Sequence, residues 1–128
     1  MRRRSLSSVV VKSVDEDDVR RCMDAYAERL LKDPRVEEVV VFGSFAKGNY
    51  APGSDIDVFI LLHESDKSVR DRIPEFLPGP FPVGVDVFPY THEEVASLAP
   101  SPILEDVRRS SWRYRRTAES QSSPLSGS

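Results

Sequence analysis

The sequence contains one cysteine, two histidines and no long apolar run, and each of these scarcities excludes a class of protein. As the only cysteine, Cys22 cannot form an internal disulfide, which excludes a disulfide-stapled secreted framework and favours a reducing cytoplasm. No apolar run approaches the roughly 18 residues that a membrane span needs, so we expect no membrane segment. Arg2–Arg4 precede an apolar run that is too short for a signal peptide, and we therefore do not expect export.

Acidic and basic residues are unevenly distributed along the chain, although the formal net charge is only −3. Residues 5–107 hold 20 acidic and 10 basic side chains, which leaves this body near −10. A further five arginines are concentrated in the segment Arg108–Arg116. An acidic body that binds a polyanion needs metal ions or focused basic groups to do so.

The basic segment Arg108–Arg116 allows two interpretations. Its interleaved Trp112 and Tyr114 resemble a nucleic-acid-binding strip. Alternatively, it is the end of a last helix over residues 101–116, with arginines at the carboxyl end and one aromatic side chain on the core. We favour the helix end and expect no nucleic-acid partner, because the acidic body would oppose DNA.

The length of 128 residues fits one domain, which we place at residues 13–116. Residues 1–12 are expected to form a loose arm, with a short strand at residues 8–11. Residues 117–128 contain few apolar side chains and are expected to be a disordered tail. Within the domain, Cys22 is predicted to be a small core residue. The isolated His63 and His92 are predicted to be surface or capping residues and not metal ligands.

Apolar periodicity predicts an α/β fold in which helices pack against a small mixed β-sheet. Strands are predicted at residues 35–43, 55–62 and 83–90. Between them lie a loop or single helical turn and a helix, residues 65–77, that Pro74 interrupts. Thr91 and Glu94 predict a capping box for the next helix. The first helix is predicted from an apolar stripe with three- and four-residue steps: Val19, Cys22, Met23, Tyr26, Ala27, Leu30 and Leu31.

Two aspartates, Asp55 and Asp57, stand at the head of the second predicted strand. Because residues i and i+2 of a strand face the same side, these carboxylates project together while Ile56 and Val58 face the core. Paired carboxylates repel each other, and a divalent cation between them removes the repulsion. Mg²⁺ prefers a few carboxylates together with phosphate oxygens and water. If the second and third strands are neighbours, Asp86 stands beside Asp57, and three carboxylates can hold two Mg²⁺ ions.

The segment between the first two strands supplies groups suited to phosphate. Gly43 lets an anion approach the backbone closely, and Ser44 offers a hydroxyl at the start of a helical turn. Lys47, one turn further on, is a point charge for phosphate. Each residue also has a plainer interpretation: the carboxylates as polar turn or strand residues, Gly43 as a strand end and Ser44 as a helix cap. Gly53 and Ser54 are predicted to be turn residues.

Gly43-Ser44, ten residues, Asp55-x-Asp57 and a later strand aspartate together resemble the DNA polymerase beta superfamily of nucleotidyltransferases. The form "GSFAKGNYAPGSDIDVFIL" is most similar to the minimal nucleotidyltransferases (MNT) of bacteria and archaea. The resemblance covers about residues 36–90. It departs from the family at Lys47, where arginine is usual, and we expect at most a modest effect on nucleotide affinity.

The resemblance implies an enzyme that transfers a nucleoside monophosphate, AMP from ATP, to a hydroxyl with release of pyrophosphate. It implies that Asp55 and Asp57 hold two Mg²⁺ ions, and that Asp86 holds the catalytic ion and helps deprotonate the acceptor. Gly43, Ser44 and Lys47 would seat the triphosphate. MNT proteins are commonly antitoxins paired with a HEPN-domain toxin, and some adenylylate a tyrosine of that toxin. Two alternatives remain: an antitoxin that acts by contact alone, and a transferase acting on a small molecule.

Overall fold

The computed structural model describes residues 15–48 and 53–116. The predicted arm with its short strand and the predicted tail at residues 117–128 lie outside the described residues. The helices and strands, numbered in chain order, are α1 Glu16–Leu31, β1 Val36–Phe42, α2 Ser44–Lys47, β2 Ile56–Leu62, α3 Val69–Phe76, β3 Val85–Thr91, α4 His92–Leu98, α5 Pro102–Arg109 and β4 Arg113–Arg115.

The four strands form one mixed sheet in the order β3-β2-β1-β4. Strand β1 is antiparallel to both β2 and β4, whereas β2 and β3 are parallel. The expected small mixed sheet with helices is therefore confirmed. This topology brings the last residue of β1 and the first residues of β2 and β3 to the same end of the sheet, across the strands. The candidate residues lie at this end.

Apolar side chains cover both faces of the sheet. On one face, α1 packs its stripe against alternate strand residues such as Val39, Val41, Val58 and Ile60. On the other face, Leu104 and Val107 of α5 pack against Val40, Phe42 and Phe59. Strand β2 is therefore buried on both sides along most of its length. Within the described ranges, no helix has the length and apolar character needed to cross a bilayer.

Helix α1 follows the predicted pattern. The carboxylate of Asp15 caps it by accepting hydrogen bonds from the backbone N–H groups of Asp17 and Asp18, at 3.0 and 3.3 Å. Three acidic residues in the first turn complement the helix dipole. Cys22 and Leu31 are only partly buried. The buried members of the stripe are Val19, Met23, Tyr26, Ala27 and Leu30.

The predicted last helix over residues 101–116 is wrong in its second half. Helix α5 ends at Arg109, and Arg113–Arg115 form an edge strand against β1. The local pattern has period two: Trp112 and Tyr114 pack on the α1 side of the sheet, while Arg113 and Arg115 both reach Glu38. Helix α3 also differs from expectation, because it continues through Pro74 to Phe76.

An ion pair between the buried Arg72 and the partly exposed Glu94 fixes the junction between β3 and α4. The Arg72 side chain is only 2% exposed and donates to Glu94 through Nη1 and Nη2, at 2.7 and 2.6 Å. The carboxylate of Glu94 also accepts from the N–H of Thr91, and the Thr91 hydroxyl accepts from the N–H of Glu94, which confirms the predicted capping box. A third bond runs from Arg72 to the carbonyl of Pro89 in β3. Helices α3 and α4 are thus tied to the strand that carries Asp86.

Candidate functional site

Strand register brings the predicted carboxylates to one place. Asp57 lies opposite Phe42, the last residue of β1, and opposite Asp86 on the parallel strand β3. Ile56 and Val58 are fully buried on the α1 side, so Asp57 projects from the other face as expected. Asp55 precedes the strand and is exposed, as is Asp86, whereas Asp57 is partly buried. The condition on which the role of Asp86 depended, that the second and third strands are neighbours, is met.

Two glycines leave the space that these aspartates occupy. A Cβ atom on Gly43 would lie 2.4 Å from Oδ2 of Asp57, and the backbone of Gly43 has a φ of +79°. A Cβ atom on Gly84 would lie 2.2 Å from Oδ1 of Asp55. Both carboxylates therefore rest directly against glycine backbone. Gly84 was not singled out from the sequence, although a glycine inside a strand pattern is typical of close backbone approach.

The carboxylates are not balanced by protein cations. Among the described residues, the side-chain carboxylates of Asp55, Asp57 and Asp86 make no hydrogen bond or ion pair. Burial raises the pKa of Asp57, and the negative charges of Asp86, Asp55 and Asp106 raise it further. A cation bound between these carboxylates would relieve their mutual repulsion.

The donor set fits a hard divalent cation. Asp55, Asp57 and Asp86 offer only carboxylate oxygens, which are the ligands that Mg²⁺ prefers. Within the described ranges, three ligand atoms lie within 4.8 Å of one another only at Glu37, His63 and His92, and not at the three aspartates. The side chains of the aspartates would therefore have to rotate toward one another to share an ion.

Lys47 lies at the site but faces a partner that the sequence did not reveal. Its Nζ atom is 3.4 Å from a carboxylate oxygen of Asp106, on α5. Asp106 is also one of the charges that raise the pKa of Asp57, so it is a fourth carboxylate at this edge. Asp106 precedes the buried Val107 in α5, and the packing of this helix on the sheet brings its carboxylate to Lys47. A phosphate bound by Lys47 has to compete with Asp106.

The short helix α2 shapes the other side of the site. It is one turn long, as expected, and closes with a bond from the N–H of Lys47 to the carbonyl of Gly43, at 3.1 Å. Ser44 follows Gly43 and is partly exposed. A cavity of about 170 Å³ beside Gly43 is lined by Lys47, Arg109 and Ser111, whose side chains can donate to phosphate oxygens. Asp106 and Ser110 also line it, and the Ser110 hydroxyl donates to the carbonyl of Val41.

The arginines of the basic segment are engaged within the protein. Arg113 and Arg115 share the carboxylate of Glu38, at 3.0 and 2.9 Å. Arg108 and Arg109 pair with Glu105, and Arg116 donates to the backbone carbonyls of Asp33 and Val36. Trp112 is covered by the guanidinium of Arg20, which lies 4.0 Å from the ring centroid. The aromatic residues of this segment therefore serve the core and the edge strand.

The histidines are not isolated, contrary to the expectation from sequence. His63 directly follows β2, and His92 is the first residue of α4. Both imidazoles contact one carboxylate oxygen of Glu37, at 3.3 Å from Nδ1 of His63 and 2.5 Å from Nε2 of His92. This group lies at the opposite end of the sheet from the aspartates.

The sheet is mixed, and aspartates of two parallel strands lie at one end of it, beside the glycine turn that follows a third strand. This is the arrangement that the sequence resemblance implied. The model of the nucleotidyltransferase domain family matches residues 23–113, and the chain belongs to this family. A crystal structure described as a candidate nucleotidyltransferase from Sulfolobus solfataricus is 26% identical in sequence, with a TM-score of 0.51. The similarity covers 64% of this chain and 75% of that one. No curated protein matches the sequence.

Proposed function

We propose that this protein is a Mg²⁺-dependent nucleotidyltransferase that moves AMP from ATP to a hydroxyl group of a HEPN-type partner protein. In this proposal it is the antitoxin of a toxin–antitoxin pair. The observation that carries the catalytic part is the register of Asp57 with Asp86, together with the Gly43 backbone against Asp57. Family membership supports nucleotidyl transfer in general. The base, the metal and the partner rest on the sequence resemblance to MNT proteins.

The proposed roles follow from position and charge. Asp55, Asp57 and Asp86 would hold two Mg²⁺ ions, which supply positive charge to the triphosphate and the acceptor oxygen when bound. Asp86 is exposed, so an acceptor hydroxyl can approach it from solvent and transfer its proton to that carboxylate. In the transfer, a bond forms between the acceptor oxygen and the α-phosphorus. The bond from that phosphorus to the bridging oxygen breaks, and pyrophosphate leaves.

The triphosphate is proposed to lie along α2. Gly43 leaves room for its oxygens at the backbone, and Ser44 offers a hydroxyl beside it. Lys47 would exchange its contact with Asp106 for a phosphate oxygen, because a multiply charged triphosphate attracts the ammonium more strongly than a single carboxylate does. Arg109 is well exposed and pairs with Glu105 only at 3.6 Å, so its guanidinium can also turn to a phosphate oxygen.

The experiment that tests this proposal is the transfer of label from ATP to a partner. The full chain is incubated with Mg²⁺, ATP labelled at the α-phosphate, and a HEPN-domain protein. Wild type should label that protein covalently on a tyrosine, and Asp57→Asn should not. Label on the α-phosphate distinguishes nucleotidyl transfer from phosphoryl transfer, which would move only the γ-phosphate.

Two other functions remain as outcomes of the same experiment. If Asp57→Asn neutralises the partner as well as wild type does and neither transfers label, the protein is a binding antitoxin. If wild type labels a small hydroxylated molecule and leaves the protein unlabelled, it is a small-molecule nucleotidyltransferase. The uncompensated charge at the three aspartates favours the catalytic proposal over the binding one, because a pure binding module gains nothing from three mutually repelling carboxylates.

A further inference from the structure

Glu37, His63 and His92 form a second cluster of metal-ligating side chains, remote from the aspartates. Each offers one ligand atom, and these three atoms all lie within 4.8 Å of one another. The three residues are separated along the chain and belong to the ends of three adjacent strands. They meet because β1 runs antiparallel to β2, and β2 runs parallel to β3, so that the start of β1 and the ends of β2 and β3 share an edge.

The backbone positions of all three residues are set by the fold. Glu37 lies at an irregularity in the β1–β2 register, between Val36 and Glu38. His63 is fixed by a hydrogen bond from its N–H to the carbonyl of Arg35, at 3.0 Å. His92 follows Thr91 and begins the helix that the Arg72–Glu94 pair ties to β3. The three side chains therefore project from backbone that the sheet and its connections hold in place.

The chemistry of this group differs from that of the aspartate site. We infer that Glu37, His63 and His92 form a binding site for Zn²⁺, with an open coordination position. Two imidazoles and one carboxylate are a ligand set that zinc accepts, whereas Mg²⁺ prefers oxygen ligands alone. Zinc–ligand bonds of about 2.0–2.2 Å place neighbouring ligand atoms about 3.3 Å apart in a tetrahedron. The distance between Glu37 Oε1 and His63 Nδ1 is 3.3 Å, and His92 has to move outward by less than 1 Å from its present 2.5 Å.

The surroundings leave room for a metal and a further ligand. The side chains of the three residues are between 41% and 54% exposed. An open depression of about 480 Å³ borders Glu37 and His63 and is completed by Glu38, Arg115 and Arg116. The positive charges of Arg115 and Arg116 oppose a cation here. Arg115 shares the carboxylate of Glu38 with Arg113, which offsets the charge of Arg115 only in part, so the ligand atoms of Glu37, His63 and His92 have to bind zinc against this charge. Zinc bound at this position would join the ends of β1, β2 and β3.

The chain has only two histidines, so proton NMR of the imidazole signals reports on this site directly. The test uses the full chain without a polyhistidine tag, in the Asp57→Asn background to weaken metal binding at the aspartates, with zinc added in excess Mg²⁺. Both imidazole signals should change together up to one equivalent of Zn²⁺ and return on chelation. Glu37→Gln should weaken the effect at least tenfold, whereas the neighbouring exposed carboxylate variant Glu64→Gln should leave it unchanged. A change in one histidine alone, or equal affinity in the two variants, would overturn the inference. Matching amide spectra without zinc establish that both variants are folded.

Discussion

The contacts of the glycines predict which alanine substitutions weaken nucleotide binding. A Cβ atom at Gly43 would lie 2.4 Å from Asp57, and one at Gly84 would lie 2.2 Å from Asp55, both far inside the roughly 3.0 Å below which something must shift. Gly48 shares the φ of +79° with Gly43 but has nothing within 4 Å of its Cβ position. Gly84 has no positive φ. Alanine at Gly48 therefore tests backbone strain alone, alanine at Gly84 tests displacement of a carboxylate alone, and alanine at Gly43 combines the two effects.

The expected magnitudes follow from these differences. Gly48→Ala places alanine in the left-handed region and should cost about 1–2 kcal/mol of stability without moving a site residue. Gly84→Ala adds little backbone strain, and Asp55 is exposed and free to rotate away, so stability should fall by less than about 1 kcal/mol. Gly43 has a ψ of −154°, in a region that is almost exclusive to glycine, so Gly43→Ala should cost about 2–3 kcal/mol and also displace Asp57.

Calorimetric titration with ATP and Mg²⁺, together with thermal unfolding, measures both quantities. Gly43→Ala and Gly84→Ala should each weaken nucleotide binding at least tenfold, and Gly48→Ala should change it less than twofold. The informative comparison is Gly84→Ala with Gly48→Ala, because the less destabilised variant should be the one that loses binding. Wild-type affinity in Gly84→Ala would refute the reasoning that Asp55 must lie against glycine backbone to act.

Three further substitutions test the charges. Asp57→Asn should leave the melting temperature in EDTA unchanged or higher, because a carboxylate whose pKa is raised in the fold destabilises it above the acidic range. Asp106→Asn should tighten ATP binding a few-fold in calorimetry, because it frees Lys47 and removes a negative charge. Glu94→Gln should cost about 1–2 kcal/mol at neutral pH, allowing for the partial exposure of the carboxylate. The Arg72 guanidinium lowers the pKa of Glu94 to about 2, so its contribution is present above pH 4.5 and is lost as the pH falls toward 2.

The controls for these variants come from the same chain. Asp66→Asn removes a carboxylate that is exposed and remote from the aspartate site, so it should reproduce none of the effect of Asp106→Asn on ATP binding. For Glu94→Gln, urea unfolding at several pH values should show a flatter acid limb than wild type. An unchanged acid limb would mean that Glu94 does not contribute to the acid dependence. A clear fall in the melting temperature of Asp57→Asn would mean that this carboxylate stabilises the fold.

Local pattern predicted the parts of the site that depend on one strand or one turn. The projection of Asp57 away from the α1 side follows from the two-residue period alone, and the single turn after Gly43 follows from its composition. Asp57 lies beside Asp86 because β2 and β3 are parallel neighbours. The sequence alone could not establish that these strands pair, so the prediction depended on this assumption. Gly84 carried a local signal as a glycine within a strand, and it was missed.

Other features depend on contacts between distant residues. Asp106 reaches Lys47 only because α5 docks on the sheet face that carries Asp57. The edge strand at Arg113–Arg115 did have a local signal, since aromatic and basic residues alternate there, but arginines at a helix end offered an equally simple interpretation. His63 and His92 look isolated along the chain, and only the sheet register brings both to Glu37.

The two candidate sites lie at opposite ends of the same strands. The strand from Ile56 to Leu62 spans about 20 Å at the usual rise per residue, and its interior residues are buried on both faces. Because most of this strand is apolar and tightly buried, a change at one site should reach the other mainly through the stability of the sheet. We therefore expect His63→Gln to abolish the zinc response of the remaining imidazole signal, that of His92, while leaving the affinity for ATP and Mg²⁺ within twofold of wild type. A larger loss of nucleotide affinity, in a variant with an unchanged melting temperature, would show that the strands couple the two ends.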